Sequence, residues 1–124
     1  MATLDMSTIL LEAYQLADEI NESPEVKEYL DAKKKLENDP EAQNLIQEFY
    51  KAKSQFEEAS RFGRFHPDYR KMKERALDLV QKLHAYPPVH NYLESEKRLD
   101  QLLYQVSLTI ARSVSESVKV PKRD

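Results

Sequence analysis

A chain of 124 residues with 40% hydrophobic and 33% charged side chains, one glycine, no tryptophan and no cysteine has single-domain size and a helix-former's alphabet. Without cysteine there are no disulfides, thiolate metal ligands or thiol nucleophiles, and no apolar run approaches the ~20 residues that cross a bilayer. The net charge of −3 is unevenly spread: residues 1–60 hold 6 Lys and Arg against 14 Asp and Glu, and residues 61–124 hold 13 against 8. The two halves can neutralise each other within the fold, attract a second copy, or present two different faces to partners.

The N-terminal stretch "MATLDMSTILLEAY" lacks the basic flank and small-residue cleavage site of a secretory signal and carries Asp5 and Glu12. It reads as the start of a helix over about 5–21, with Met6, Ile9, Ala13, Leu16 and Ile20 on one face. In "NESPEV", Ser23 can accept from the free N–H groups of the next helix. Pro24 suits its first turn, where a missing donor costs nothing. That second helix, 24 to about 37, carries a thin stripe of Val26, Tyr29, Leu30 and Leu36. "NDPEAQ" repeats the signal with Asp39 and Pro40. The third helix follows with Ala42, Leu45, Phe49, Ala52, Phe56 and Ala59, steps of three and four in which small residues alternate with large.

"RFGRFHPDY", residues 61–69, holds the one glycine and joins the third helix to the fourth. Gly63 can take the left-handed conformation that ends a helix, Pro67 can open the next one, and Asp68 places negative charge near its positive end. A link of about four residues makes the two helices an antiparallel αα-hairpin of similar lengths, with Phe62 and Phe65 covering its open end. The fourth helix, 67–86, carries Tyr69, Met72, Ala76, Leu79, Leu83 and Tyr86 on one face until "YPPV" stops it. The fifth, about 88–118, carries Tyr92, Leu99, Leu103, Val106, Ile110 and Val114, widened by Leu93 and Leu102. The expected fold is an all-α bundle of about five helices in one domain, 1–118, followed by a basic tail, 119–124. About thirty residues give the fifth helix ~45 Å, two to three turns more than the hairpin. Its apolar stripe needs covering, by helix one or by a second subunit, and a partner is the favoured cover.

Catalytic constellations are thin. His66, His84 and His90 have no metal-ligand spacing to one another or to carboxylates, and no nucleophile elbow or glycine-rich phosphate loop is present. His66 is the best single proton-transfer candidate, but no sequence neighbour would orient it. The charged cluster is more informative: Arg61, Arg64, Arg70, Lys71, Lys73 and Arg75 face only Asp68 and Glu74, with Phe62, Phe65 and Tyr69 interleaved. Arginine beside exposed aromatics suits single-stranded RNA; a solvated helix face answering the acidic first half suits the same residues.

"RFGRFHPDY" together with "VSESVKVP", residues 114–121, resembles the two hallmark stretches of the YlbF/YmcA family of bacterial regulatory proteins. Phe62, Gly63, His66, Pro67, Asp68 and Tyr69 match the first, and Val114, Ser115, Glu116, Val118, Lys119, Val120 and Pro121 match the second. The resemblance implies a small, all-helical, cytoplasmic, non-catalytic protein. It also implies YmcA-like and YaaT-like partners in a complex that acts with ribonuclease Y in messenger RNA maturation, influencing competence, sporulation and biofilm formation. Family members can carry a cysteine-rich tail and the complex is described as holding iron–sulfur clusters. This chain has no cysteine, so either a tail is cut away or this member lacks one, and no cofactor is expected in the chain itself.

The combined expectation is an adaptor without membrane insertion. Val106, Ile110, Val114, Val118 and Lys119 would meet one partner, or a second copy of the chain. Arg61, Phe62, Arg64, Phe65, His66, Asp68 and Tyr69 would meet a second protein or RNA. Gly63, Pro67 and Pro121 are assigned structural roles.

Overall fold

The computed structural model describes residues 5–114. Among them the chain is all-α: α1 (Met6–Asn21), α2 (Pro24–Glu37), α3 (Pro40–Ser60), α4 (Tyr69–Ala85) and α5 (Pro87–Arg112). No helix among the described residues is long and apolar enough to cross a membrane.

The helix starts follow from side-chain capping. The Asp5 carboxylate accepts from the Thr8 N–H at 2.8 Å and the Ser23 hydroxyl from the Val26 N–H at 3.3 Å. The Asp39 carboxylate accepts from the Ala42 N–H at 3.0 Å, with Pro40 behind it in the first turn. At the end of α2 the Gln43 amide donates to the Leu36 carbonyl at 2.9 Å, partnering one of the carbonyls a helix end leaves free.

The chain divides into two compact units. One comprises residues 31–94: the end of α2, all of α3 and α4, and the start of α5. Here α3 and α4 pack closely side by side. Their pairing is antiparallel: Ala42, near the start of α3, clusters with Leu83, near the end of α4, while Phe56 of α3 meets Tyr69 of α4 with ring centroids 5.2 Å apart. Ala42, Ala52 and Ala59 are buried, so the alanines that alternate with larger residues let the helices approach. Leu36, Leu45, Ile46, Phe49 and Tyr86 pack around Ala42, Leu83 and Val89.

The other unit comprises α1, α2 up to Leu30 and α5 from Ser95 onward. Arg98 of α5 pairs with Glu28 of α2 at 3.3 Å, and Leu99 of α5 is half-buried.

Two expected boundaries move. The fifth helix ends at Arg112 rather than near 118, at ~39 Å against ~32 Å for α3, so the excess is just over one turn. The Thr109 hydroxyl donates to the Gln105 carbonyl and the Ser113 hydroxyl to the Thr109 carbonyl, each at 2.8 Å. Such back-bonding, together with β-branched Thr109 and Ile110, weakens the last turns. The fourth helix begins at Tyr69 rather than Pro67, so the link runs over eight residues, 61–68. Pro67 lies inside the link, where successive i+3 turns carry the chain: Gly63 N–H to Ser60, His66 N–H to Gly63 and Tyr69 N–H to His66.

Candidate functional site

The link is built around Gly63, the one residue with positive φ (+89°) among those described. A Cβ there would meet open space, so the need for glycine is conformational. Asp68 sits at the start of α4 without capping it through its side chain. Its backbone N–H instead donates to His66 Nδ1 at 3.1 Å. Accepting at Nδ1 puts the proton of a neutral His66 on Nε2, leaving an N–H donor. The Phe62 and His66 rings lie 5.3 Å apart.

The expected hydrophobic cover is not there. Phe65 is 99% exposed and Phe62 70% exposed; half-buried Tyr69, set against Phe56, closes the base of the hairpin instead. Eight residues give the link enough length for Phe65 to stand clear of both helices. Beside Phe62 lies an open recess lined by Gln55, Glu58, Ala59, His66, Asp68 and Met72.

Most of the cations around the link make no ion pair among the described residues. Arg70 pairs with Glu74 at 3.2 Å, whereas Arg61, Arg64, Lys71, Lys73 and Arg75 make no ion pair among the described residues. The other ion pairs seen among the described residues are local in sequence except Arg98–Glu28. Of these pairs only Arg98–Glu28 joins the two halves.

A second surface belongs to the unit of α1 and the end of α5. No residue of α1 is buried. Met6, Ile9, Leu10, Leu11 and Tyr14 are exposed, and only Leu16 and Ile20 of its expected stripe are half-buried. On α5, Val106 is half-buried, while Ile110 is exposed and Val114, just beyond the helix, is exposed too. Leu102, expected to widen the stripe, is half-buried, whereas Leu103, expected on the stripe itself, is exposed. Val118, Lys119 and Pro121 lie outside the described residues. Of the predicted contact residues, Arg61, Phe62, Arg64, Phe65, His66 and Asp68 thus lie in the link with Tyr69 at the start of α4, whereas Ile110 and Val114 belong to the other unit.

Sequence reasoning missed one polar contact. The Tyr86 hydroxyl donates to Asp39 Oδ2 at 2.8 Å and lies 3.0 Å from Oδ1 and 3.4 Å from a Glu41 carboxylate oxygen. The Ala42 N–H and then the Tyr86 hydroxyl hold the Asp39 carboxyl below its ordinary pKa. Donation to Asp39, with burial and the two carboxylates adding to it, pushes the Tyr86 phenol up to about 12. The capping role of Asp39 was legible; a partner 47 residues away was not. Among the described residues no cluster of three or more His, Asp or Glu is placed to hold a metal ion.

The family model described as "Control of competence regulator ComK, YlbF/YmcA" matches residues 9–115. The chain belongs to this YlbF/YmcA family. It is 37% identical over 120 residues to the regulatory protein YlbF of Bacillus subtilis (strain 168), covering 97% of this chain and 80% of that protein. A UPF0342 protein of Caldicellulosiruptor saccharolyticus is 30% identical over 104 residues, covering 82% of this chain and 83% of its own length. Among solved structures, a chain of the X-ray crystal structure of Bacillus subtilis RicA in complex with RicF superposes with a TM-score of 0.86 at 35% identity. That match covers 93% of this chain and all of the other.

Proposed function

We propose that this family member is a non-catalytic, cytoplasmic adaptor in a complex with YmcA-like and YaaT-like proteins. On this reading the complex promotes ribonuclease Y-dependent messenger RNA maturation and thereby influences competence, sporulation and biofilm formation. The observation that carries the adaptor reading is the open face of α1, whose Met6, Ile9, Leu10, Leu11 and Tyr14 are all left in water. Burying an aliphatic side chain is worth ~1.5–3 kcal/mol, so a partner helix laid on this face gains where the isolated chain does not. The solved relative supports a protein partner, because RicA was crystallised in complex with RicF. Any iron–sulfur cluster would belong to the complex, since this chain supplies no thiolate.

Cells lacking this chain should lose ribonuclease Y-dependent cleavage of the affected transcripts, read by northern blot. A plasmid copy should restore it, and a Leu11→Asp copy should not. Equal cleavage with and without the chain would refute the reading.

A further inference from the structure

We propose that Arg61, Phe62, Arg64, Phe65 and His66 form a binding surface for single-stranded nucleic acid. Three observations converge on this short segment. Phe65 is 99% exposed, and Phe62 is largely open. Arg61 and Arg64 have no ion-pair partner among the described residues. His66, with Nδ1 occupied by the Asp68 N–H, presents Nε2–H as a donor beside the Phe62 ring.

The choice of occupant follows from what satisfies rings and cations together. An apolar pocket on a protein would take Phe65 only by drawing the neighbouring Arg64 and Arg61 out of water as well, a costly desolvation unless each is paired. A stack of bases imposes no such conflict. Phenylalanine lies on a base face, and the guanidinium groups stack or meet the phosphates that accompany every base. Duplex nucleic acid offers the phosphates, but its base faces are already stacked, so it leaves Phe65 unused; the strand must be single. The recess beside Phe62, with Gln55, Glu58, His66 and Asp68 on its wall, offers acceptors and donors to a base edge, and its carboxylates turn phosphate away. The overall negative charge of −3 does not oppose this, because the cations gather locally: residues 61–75 hold six Lys and Arg against two acidic residues.

The test is fluorescence anisotropy of the full chain against a labelled 12-nucleotide oligouridylate at 50 mM KCl. The same length of single-stranded DNA, a 12-base-pair duplex and an oligoglutamate peptide serve as parallel probes. Single strands should bind at least ten-fold more tightly than the duplex and the peptide, and binding of DNA alongside RNA supports the assignment equally. If about three phosphates are contacted, raising KCl to 200 mM should weaken binding about 20-fold. Phe65→Ala, which removes an exposed side chain and so leaves the fold intact, should weaken it roughly five-fold or more. Arg61→Glu with Arg64→Glu should weaken it beyond ten-fold with an unchanged helical circular-dichroism spectrum, while Lys35→Glu on α2 should change it less than two-fold. No single-strand binding at 50 mM KCl, an F65A variant that binds like wild type, or duplex bound as tightly as single strand would each overturn the proposal. Oligoglutamate bound more tightly than the oligonucleotides would overturn it in favour of an acidic protein segment.

Discussion

The helices α1 and α3 are written in the same three-and-four apolar rhythm and meet opposite fates. On α3, Ala42, Ala52 and Ala59 are buried and Leu45, Phe49 and Phe56 half-buried, whereas α1 buries nothing. The difference lies in what each helix is matched to. Alanine alternates with large residues on α3, and α4 answers it with Leu79 and Leu83 in an antiparallel partner joined through the same link. Helix α1 sets Met6, Ile9, Leu10 and Leu11 together, bulky and contiguous, and its own unit leaves all four exposed. Periodicity therefore identifies the face a helix will bury, and the partner's identity decides whether this chain alone buries it.

Mutations should separate these two faces sharply. Leu83→Ala, inside the α3–α4 core, should cost about 2–4 kcal/mol through lost burial and a residual cavity, measured by urea unfolding of the isolated chain. Gly63→Ala should cost about 1 kcal/mol in the same assay, because the link holds φ at +89° while the added methyl touches nothing. Leu11→Ala, on the open face of α1, should change stability by less than about 0.5 kcal/mol. A Leu11→Ala effect as large as that of Leu83→Ala would erase the distinction between a closed and an open face.

The Tyr86–Asp39 contact sharpens the closed half through pH. The Tyr86 pKa is raised to about 12 in the fold, so its stabilising contribution is complete below the ordinary phenol value near 10. That contribution is lost as pH rises toward 12. The Asp39 carboxyl is lowered, so its contribution is complete above the ordinary value of 3.8 and is lost as pH falls through the folded pKa. The stability difference between wild type and Tyr86→Phe, measured by urea unfolding, should therefore stay flat from pH 7 to 10 and shrink by pH 11.5. An undiminished difference at pH 11.5 would mean that the phenol does not donate to Asp39.

Much of the scaffold was legible because capping chemistry is local. Asp39 with Pro40 and Ser23 with Pro24 mark helix starts within three or four residues of sequence, and both caps are present. The α3 stripe was legible because its partner follows immediately in the chain. Three features were not. The end of α5 depends on the Thr109 and Ser113 hydroxyls returning to the backbone, a choice that apolar spacing does not encode. The exposure of Leu103 beside half-buried Leu102 reflects the ~100° between neighbouring helix positions, within the width of the apolar stripe that both share. Phe62 and Phe65 were expected to cover the hairpin's end, because hydrophobicity alone says that a ring prefers burial. The eight-residue link lets Phe65 leave both helices, and the arginines beside it, without ion pairs among the described residues, are what make that exposure informative.

The decisive measurement is absolute mass by light scattering, for the chain alone and mixed with its YmcA-like and YaaT-like counterparts, using wild type and a Leu11→Asp/Ile110→Asp variant. Wild type should enter a heteromeric particle, and the double variant should melt at the wild-type temperature yet elute apart from both counterparts. A wild-type chain that never joins them, or a double variant that assembles undiminished, would contradict the claim that the open apolar face is a docking surface.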